Sequence, residues 1–315
     1  MFAHFVGETI DMDEDVVQGL REMPKRLPCR LLWDARGAEL FARICTLADY
    51  YLTRHELAML RERIGAIAAA AGPRARVIEP GSGLALKTRI LLDALVDPAC
   101  YVPIEVEAEQ LASTVAAFRA QYPRLDVEPI CGDYMQPLEL PAPHRAYGRS
   151  LVFFPGSTIG NFELGEAEAF LGRFARHAGA GGLLVLGADS NSDAETLVRA
   201  YDDREGVTAE FDRNVLVHLN REYGTDFDVA AFEHRAVWDA AKSRIEMHLV
   251  STRAQRVHLD GRELVFEAGE PIVTEHCYKY PAPVLEALLA RAGWRVREVF
   301  ADPRGWMRTW LCERA

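Results

Sequence analysis

The stretch "RVIEPGSGLALKTRILLDAL", residues 76–95, decides the fold. A short apolar run closes on Gly81 and Gly83, and apolar residues then recur at three- and four-residue spacing, which predicts strand, glycine turn and helix in that order. The alternation continues outward. "YVPIEVE" (101–107) reads as a strand and "AEQLASTVAAFRAQY" (108–122) as a helix. "LDVEPICGD" (125–133) and "RSLVFFPGSTIGN" (149–161) each contain a strand, "GEAEAFLGRFARHA" (165–178) is helical, and "GGLLVLGAD" (181–189) is the next strand. Such alternation implies α/β architecture, a parallel sheet with helices on both faces. After the helix "PAPVLEALLARAG", the tail "WRVREVFADPRGWMRTWLCER" (294–314) holds two strand-like runs around a Pro-Gly loop, a terminal antiparallel hairpin. Before residue 70 the pattern is helical, in "GAELFARICTL" and "TRHELAMLRERIGAIAAAA", with Thr53 a suitable N-cap for the second.

Composition narrows the function. At 315 residues the chain can bury a large core as one large or two joined domains. A net charge of −11 disfavours nucleic acid as a partner and leaves a small molecule as the better expectation. The six cysteines include no Cys-x-x-Cys pair, and this spacing suits neither a zinc site nor a disulfide framework. No basic-apolar leader and no membrane-spanning stretch is visible, so the expected setting is the cytoplasm, with no membrane and no obligate protein partner.

Parallel sheets bind ligands beyond the carboxyl ends of their strands. "PGSTIGN" would fall at such an end, either facing a ligand or as a turn that simply needs glycine. Gly81 and Gly83 begin a Gly-x-Gly-x-x-Gly pattern whose third position is Leu86, so a pyrophosphate seat is not expected. Glu105 and Glu107 end the next strand and Asp133 the third; singly each reads as a solvated strand end, but together they suit an adenosine without a pyrophosphate. S-adenosylmethionine fits that description.

The segments "LWDARGAELFARICTLADYYLTRHE", "EPGSGLALKTRILLDAL", "FFPGSTIGNF", "LVRAYDD", "GVTAEFDRNVL", "RIEMHL" and "TEHCYKY" together resemble the histidine-specific, S-adenosylmethionine-dependent methyltransferase family, over nearly the whole chain. The resemblance implies a class I methyltransferase sheet, Rossmann-like, with an inserted α+β substrate-binding domain. It implies residues 1–60 as the N-terminal helical part of the substrate domain, 61–189 as the cofactor-binding core, 190–282 as the insert, and 283–315 as the completion of the core. It implies that Gly81, Lys87, Glu105, Asp133 and Tyr134 bind S-adenosylmethionine, with Glu105 standing where the family has Asp. It further implies that Asn161 and Tyr201 hold the substrate carboxylate, that Glu275 and Cys277 face the imidazole with Tyr50 beside it, and that Met247 walls the pocket. Cys277 replaces the family's commoner Ser. Trp33 stands near the reacting amine in place of a tyrosine, and no residue is assigned as a certain catalyst.

The implied reaction is methylation of the α-amine of L-histidine, up to the trimethylated product hercynine, toward ergothioneine. Attack on a sulfonium methyl needs a neutral amine held in line, not a covalent nucleophile. Neutral donors at Asn161 and Tyr201 would suffice for the carboxylate, with no buried cation. Trp33 and Cys277 keep open another aromatic amino acid or a methylated histidine as substrate. A binding module for an amino acid or adenosine, without catalysis, is the alternative from another class. His248, His276 and the acidic turn in "AYDDREG" read as ordinary structure, with no metal implied.

Overall fold

Strand Arg76–Pro80 is buried along its whole length and pairs in parallel with Ser150–Phe154 on one side and Cys100–Glu105 on the other. A strand covered on both faces is apolar throughout, not alternating, which is why "VI" and "LVFF" read as continuous runs. This is a computed structural model, and it describes residues 12–83, 85–259 and 261–315. The chain divides into two compact units. His55–Ser190 with Tyr280–Ala315 form the first; the described residues up to Arg54 with Asn191–Lys279 form the second.

The first unit is an α/β layer structure around an eight-stranded sheet. Its order is Trp294–Ala301, Met307–Arg314, Leu183–Asp189, Ser150–Phe154, Arg76–Pro80, Cys100–Glu105 and Asp126–Val127, with Ile130–Cys131 also on Cys100–Glu105. Met307–Arg314 runs antiparallel to Leu183–Asp189 and forms the expected hairpin with Trp294–Ala301; the remaining neighbours are parallel. Strand order thus reverses direction at Arg76–Pro80, which opens a crevice at its carboxyl end. The core brings together Ile67, Val77, Leu91, Tyr101, Phe118, Leu151 and Phe153, each contributing about 1.5–3 kcal/mol through burial.

Two local expectations change. "LDVEPICGD" is two short strands rather than one, interrupted at Glu128-Pro129, because proline cannot donate to the ladder. The long helix is Tyr51–Ala71, so Thr53 lies inside it rather than at its cap; buried Tyr51 and Leu52 extend the apolar face backward.

In the second unit, Pro271–Tyr278 lies between Lys25–Arg26, which is parallel to it, and Arg244–Ser251, which is antiparallel; Phe232–Asp239 pairs with the far edge of Arg244–Ser251. Helices Ala35–Ile44, Ala194–Tyr201 and Val207–Tyr223 belong to this unit. The register slips between Val273 and Glu275, so that Glu275 stands directly opposite Met247. A bulge of this kind re-aims side chains.

Candidate active site

At the carboxyl end of Arg76–Pro80, Gly81 and Gly83 adopt φ of +68° and +46°, where a side chain is strained. A Cβ on Gly81 would also come within 3.3 Å of the Tyr134 ring. The Gly83 amide donates to Glu105 Oε2 (3.3 Å) and the Val106 amide to Oε1 (3.0 Å). Burial raises the Glu105 carboxyl above its ordinary range, and those two amides oppose the shift. Glu107 is otherwise occupied: it caps helix Ala108–Gln121 by accepting from the Gln110 amide at 2.7 Å. Asp133 accepts from the Met135 amide (2.7 Å), and Arg173 donates to the Tyr134 carbonyl (2.7 Å). Gly81, Glu105 and Tyr134 therefore share the carboxyl end of the sheet, with open glycine backbone beside a carboxylate and an aromatic ring. This suits a ribose and a base.

Glu79, beneath that turn, was not singled out from sequence. It accepts from Tyr101 and Thr88, and burial pushes its carboxyl up to about 7. Another such residue is Glu56. Its buried carboxylate pairs with Lys87 and accepts from the Gly156 amide at 2.8 Å. A Cβ at Gly187 would lie 2.0 Å from Glu56 Oε1, so Gly187 makes room for it. The broken strand end at "PGSTIGN" is thereby explained. Gly156 and Ser157 take φ of +93° and +61°, Ser157 Oγ accepts from the Asp189 amide at 2.9 Å, and the short helix Thr158–Asn161 ends on half-buried Asn161.

In the second unit an aromatic series runs from Trp33 to Tyr201. Trp33 packs edge-on against Phe41 (4.9 Å) and Phe211 (5.7 Å), Phe41 against Tyr50 (6.1 Å), and Tyr50 against Tyr201 (6.1 Å). Tyr201 Oη lies 2.9 Å from Cys277 Sγ and accepts from Lys279 Nζ at 2.9 Å. Burial raises the Cys277 thiol, so it is a packing and hydrogen-bonding group rather than a thiolate. Glu275 is buried, and burial followed by the nearby Asp212 charge pushes its carboxyl up to about 7, against a lowering by Lys279. Asp212 itself bonds His234 Nδ1 (2.6 Å) and Thr274, while His234 Nε2 is 2.8 Å from the Tyr201 carbonyl. The structure thus brings Tyr50, Tyr201, Met247, Glu275 and Cys277 into one unit, with Trp33 at the end of the aromatic series. Asp212, His234 and Lys279 were missed by sequence reasoning, as was any cation behind Tyr201.

The family model described as histidine-specific methyltransferase, S-adenosylmethionine-dependent, matches residues 12–314. The chain belongs to that family. It is 44% identical over 296 residues to a histidine N-alpha-methyltransferase of Mycolicibacterium smegmatis, covering 92% of this chain and 91% of the relative. The histidine N-alpha-methyltransferase of Mycobacterium tuberculosis is 42% identical over 300 residues, 92% of each. Ergothioneine biosynthesis protein 1 of Schizosaccharomyces pombe is 30% identical over 243 residues, 74% of this chain and 31% of that protein. The fold is accordingly that of a class I, S-adenosylmethionine-dependent methyltransferase.

In this methyltransferase no helix among the described residues is long and apolar enough to cross a membrane, and no cluster of three or more His, Cys, Asp or Glu among them could hold a metal. The turn in "AYDDREG" has a structural role, since Asp203 accepts from the Val207 and Thr208 amides (3.1 and 2.7 Å) at the start of Val207–Tyr223.

Glu275 also gives the ligand-free protein a pH signature. Its folded value, about 7, lies above its ordinary 4.5, so the native state holds this proton more tightly than the unfolded chain. The resulting stability is fully present below about pH 4.5 and is lost as pH rises through 7, amounting to about 3 kcal/mol. Glu275→Gln removes it. Urea unfolding from pH 5 to pH 8 should therefore show the variant gaining on the wild type by roughly that amount; a constant difference would mean that the carboxyl is not in a low-dielectric site.

Proposed function

We propose that this protein transfers methyl groups from S-adenosylmethionine to the α-amine of L-histidine, up to the trimethylated product hercynine, in a cytoplasmic setting. The observation that carries the reading is a buried carboxylate, Glu275, opposite Met247 and on the strand that also presents Cys277 to Tyr201. A carboxylate accepts from an imidazole N–H, which a phenyl ring cannot offer, so histidine gains a hydrogen bond that the apolar isostere does not. Among aromatic amino acids, that favours histidine.

S-adenosylmethionine supplies an electrophilic methyl on a sulfonium. In our reading Gly81 and Gly83 let the backbone approach it, Glu105 accepts from its ribose, Asp133 and Tyr134 border the base, and Lys87 is drawn toward its amino-acid end. Tyr201 and Asn161 hold the histidine carboxylate, and Tyr50 flanks the ring. An α-amine of ordinary pKa, near 8, is mostly protonated at neutral pH and must lose that proton before attack. Fixing both ends of the histidine spends binding energy on aligning the nitrogen lone pair. Trp33, packed between Phe41 and Phe211, can donate a hydrogen bond but cannot take up a proton, so the amine proton leaves by another route.

The test is mass spectrometry of the protein incubated with S-adenosylmethionine and histidine, its mono- and dimethyl derivatives, tryptophan and tyrosine. Successive 14-dalton additions to histidine are expected. Methylation of tryptophan or tyrosine in its place would assign the chain to another aromatic amino acid, and no methylation of any of them would favour a binding module.

A further inference from the structure

His234, on strand Phe232–Asp239, and Asp212, on helix Val207–Tyr223, are buried, with 1% and 0% of their side chains exposed. His234 Nδ1 lies 2.6 Å from Asp212 Oδ2, and Nε2 lies 2.8 Å from the carbonyl oxygen of Tyr201. A carboxylate and a carbonyl can only accept, so both ring nitrogens carry protons and the ring is an imidazolium. Burial works against that charge, but the Asp212 carboxylate and the Tyr201 carbonyl outweigh it and hold the ring protonated above its ordinary range. Tyr201 is the last residue of helix Ala194–Tyr201, where carbonyls lack an intrahelical partner and a cation is favoured. On its other side Asp212 accepts through Oδ1 from Thr274, whose hydroxyl is also 3.1 Å from the Met247 carbonyl. Thr274 is the residue that falls out of register at the bulge, next to Glu275.

Three hydrogen bonds in series, Thr274 to Asp212 to His234 to Tyr201, thus tie the strand that bears Glu275 to the helix end that bears Tyr201. We propose that Thr274, Asp212 and His234 are positioning residues that fix the distance between the ring end and the carboxylate end of the pocket, and so select the length of the substrate's side chain. The proposal rests on the reading that Glu275 takes the imidazole and Tyr201 the carboxylate. A satisfied polar network in a low-dielectric interior is stiff, and here it acts at a distance from the substrate: His234 engages the Tyr201 backbone and Thr274 sits beside Glu275, so both binding side chains are set by groups that touch neither end of the amino acid. With the span fixed, one extra methylene between amine and ring cannot be absorbed by sliding either end, and the amine is pushed off line.

The experiment is steady-state kinetics of the full chain with histidine and with its homologue carrying one more methylene between Cα and the ring. The wild type should prefer histidine by about 10- to 200-fold, the range for one methylene. His234→Ala and Asp212→Ala should narrow that ratio to within about threefold, because histidine loses alignment that the homologue never had. Asp212→Asn should keep the ratio within about threefold of wild type, since its carbonyl still accepts from Thr274 and its amide can donate to Nδ1 while Nε2–H stays on Tyr201. A purely structural role would lower both substrates by one factor and leave the ratio untouched. Unchanged S-adenosylhomocysteine affinity checks folding, and His234→Gln replaces His234→Ala if that variant fails the check. A ratio unmoved in the alanine variants, a ratio lost as fully in Asp212→Asn as in Asp212→Ala, or a wild type indifferent to the extra methylene would each overturn the proposal. If another amino acid is methylated and histidine is not, the histidine reading fails, and the same ratio for that amino acid and its homologue decides the role of His234. If no amino acid is methylated, both fail.

Discussion

Glu275→Ala should lower kcat/KM for histidine by about 100-fold while leaving S-adenosylmethionine affinity within about twofold. A hydrogen bond to a charged group contributes about 1.5–3 kcal/mol, which is roughly 10- to 150-fold in rate or affinity. Truncation adds to that loss. Glu275 is buried beside Met247, and the vacated volume lets the imidazole tilt, so the amine at the other end of a short amino acid moves off line; displacement of about 1 Å can cost 100-fold. Glu275→Gln keeps the volume and an acceptor, and should lose nearer tenfold. Steady-state kinetics with calorimetric titration of S-adenosylmethionine checks both variants. An unchanged kcat/KM in the alanine variant would remove Glu275 from the substrate pocket and with it the main support for histidine. The same variant admits larger apolar rings, so its activity on tryptophan relative to histidine should rise.

The sequence made the sheet legible because long-range order there is written locally. Apolar runs that end in glycine mark strands covered on both faces, and the Pro-Gly loop at Asp302–Gly305 marks the closing hairpin. Among the candidate cofactor residues, Gly81, Glu105 and Asp133 drew notice from their place at or just after strand ends, whereas Tyr134 came only with the family resemblance. The residues missed share one property, that their meaning depends on what packs against them. Glu56 sits on the apolar face of its helix, in step with Leu52 and Leu60, and a carboxylate at such a position is a signal that could have been read. Lys279 offered a similar one, two residues past Cys277 and directly after the end of its strand. Asp212 and His234 come from a helix and a strand 22 residues apart, and no spacing rule joins them. The shift of register at Val273 to Glu275 was equally invisible, although it sets Glu275 against Met247.

Glu56→Leu should destabilise the protein by about 3–5 kcal/mol, the cost of removing one partner from a buried ion pair. Two losses combine. Lys87 is left with its ammonium in a site only one-fifth exposed, and the Gly156 amide loses an acceptor at 2.8 Å. The strained turn at Gly156 and Ser157, with φ of +93° and +61°, then has less to hold it, and Asn161 four residues on loses its fixed position. Replacing both partners should behave differently. Glu56→Leu combined with Lys87→Met leaves no orphaned charge, and apolar replacements of buried pairs are often neutral or stabilising, so most of the lost stability should return in urea unfolding. Cofactor affinity should not return with it. If Lys87 serves the carboxylate of S-adenosylmethionine, the double variant folds and still binds the cofactor at least tenfold more weakly. A double variant with wild-type affinity would instead make the Lys87–Glu56 pair a purely structural clamp on the 155–161 turn, and the cofactor's carboxylate would have to be sought among the backbone amides of Gly81–Gly83.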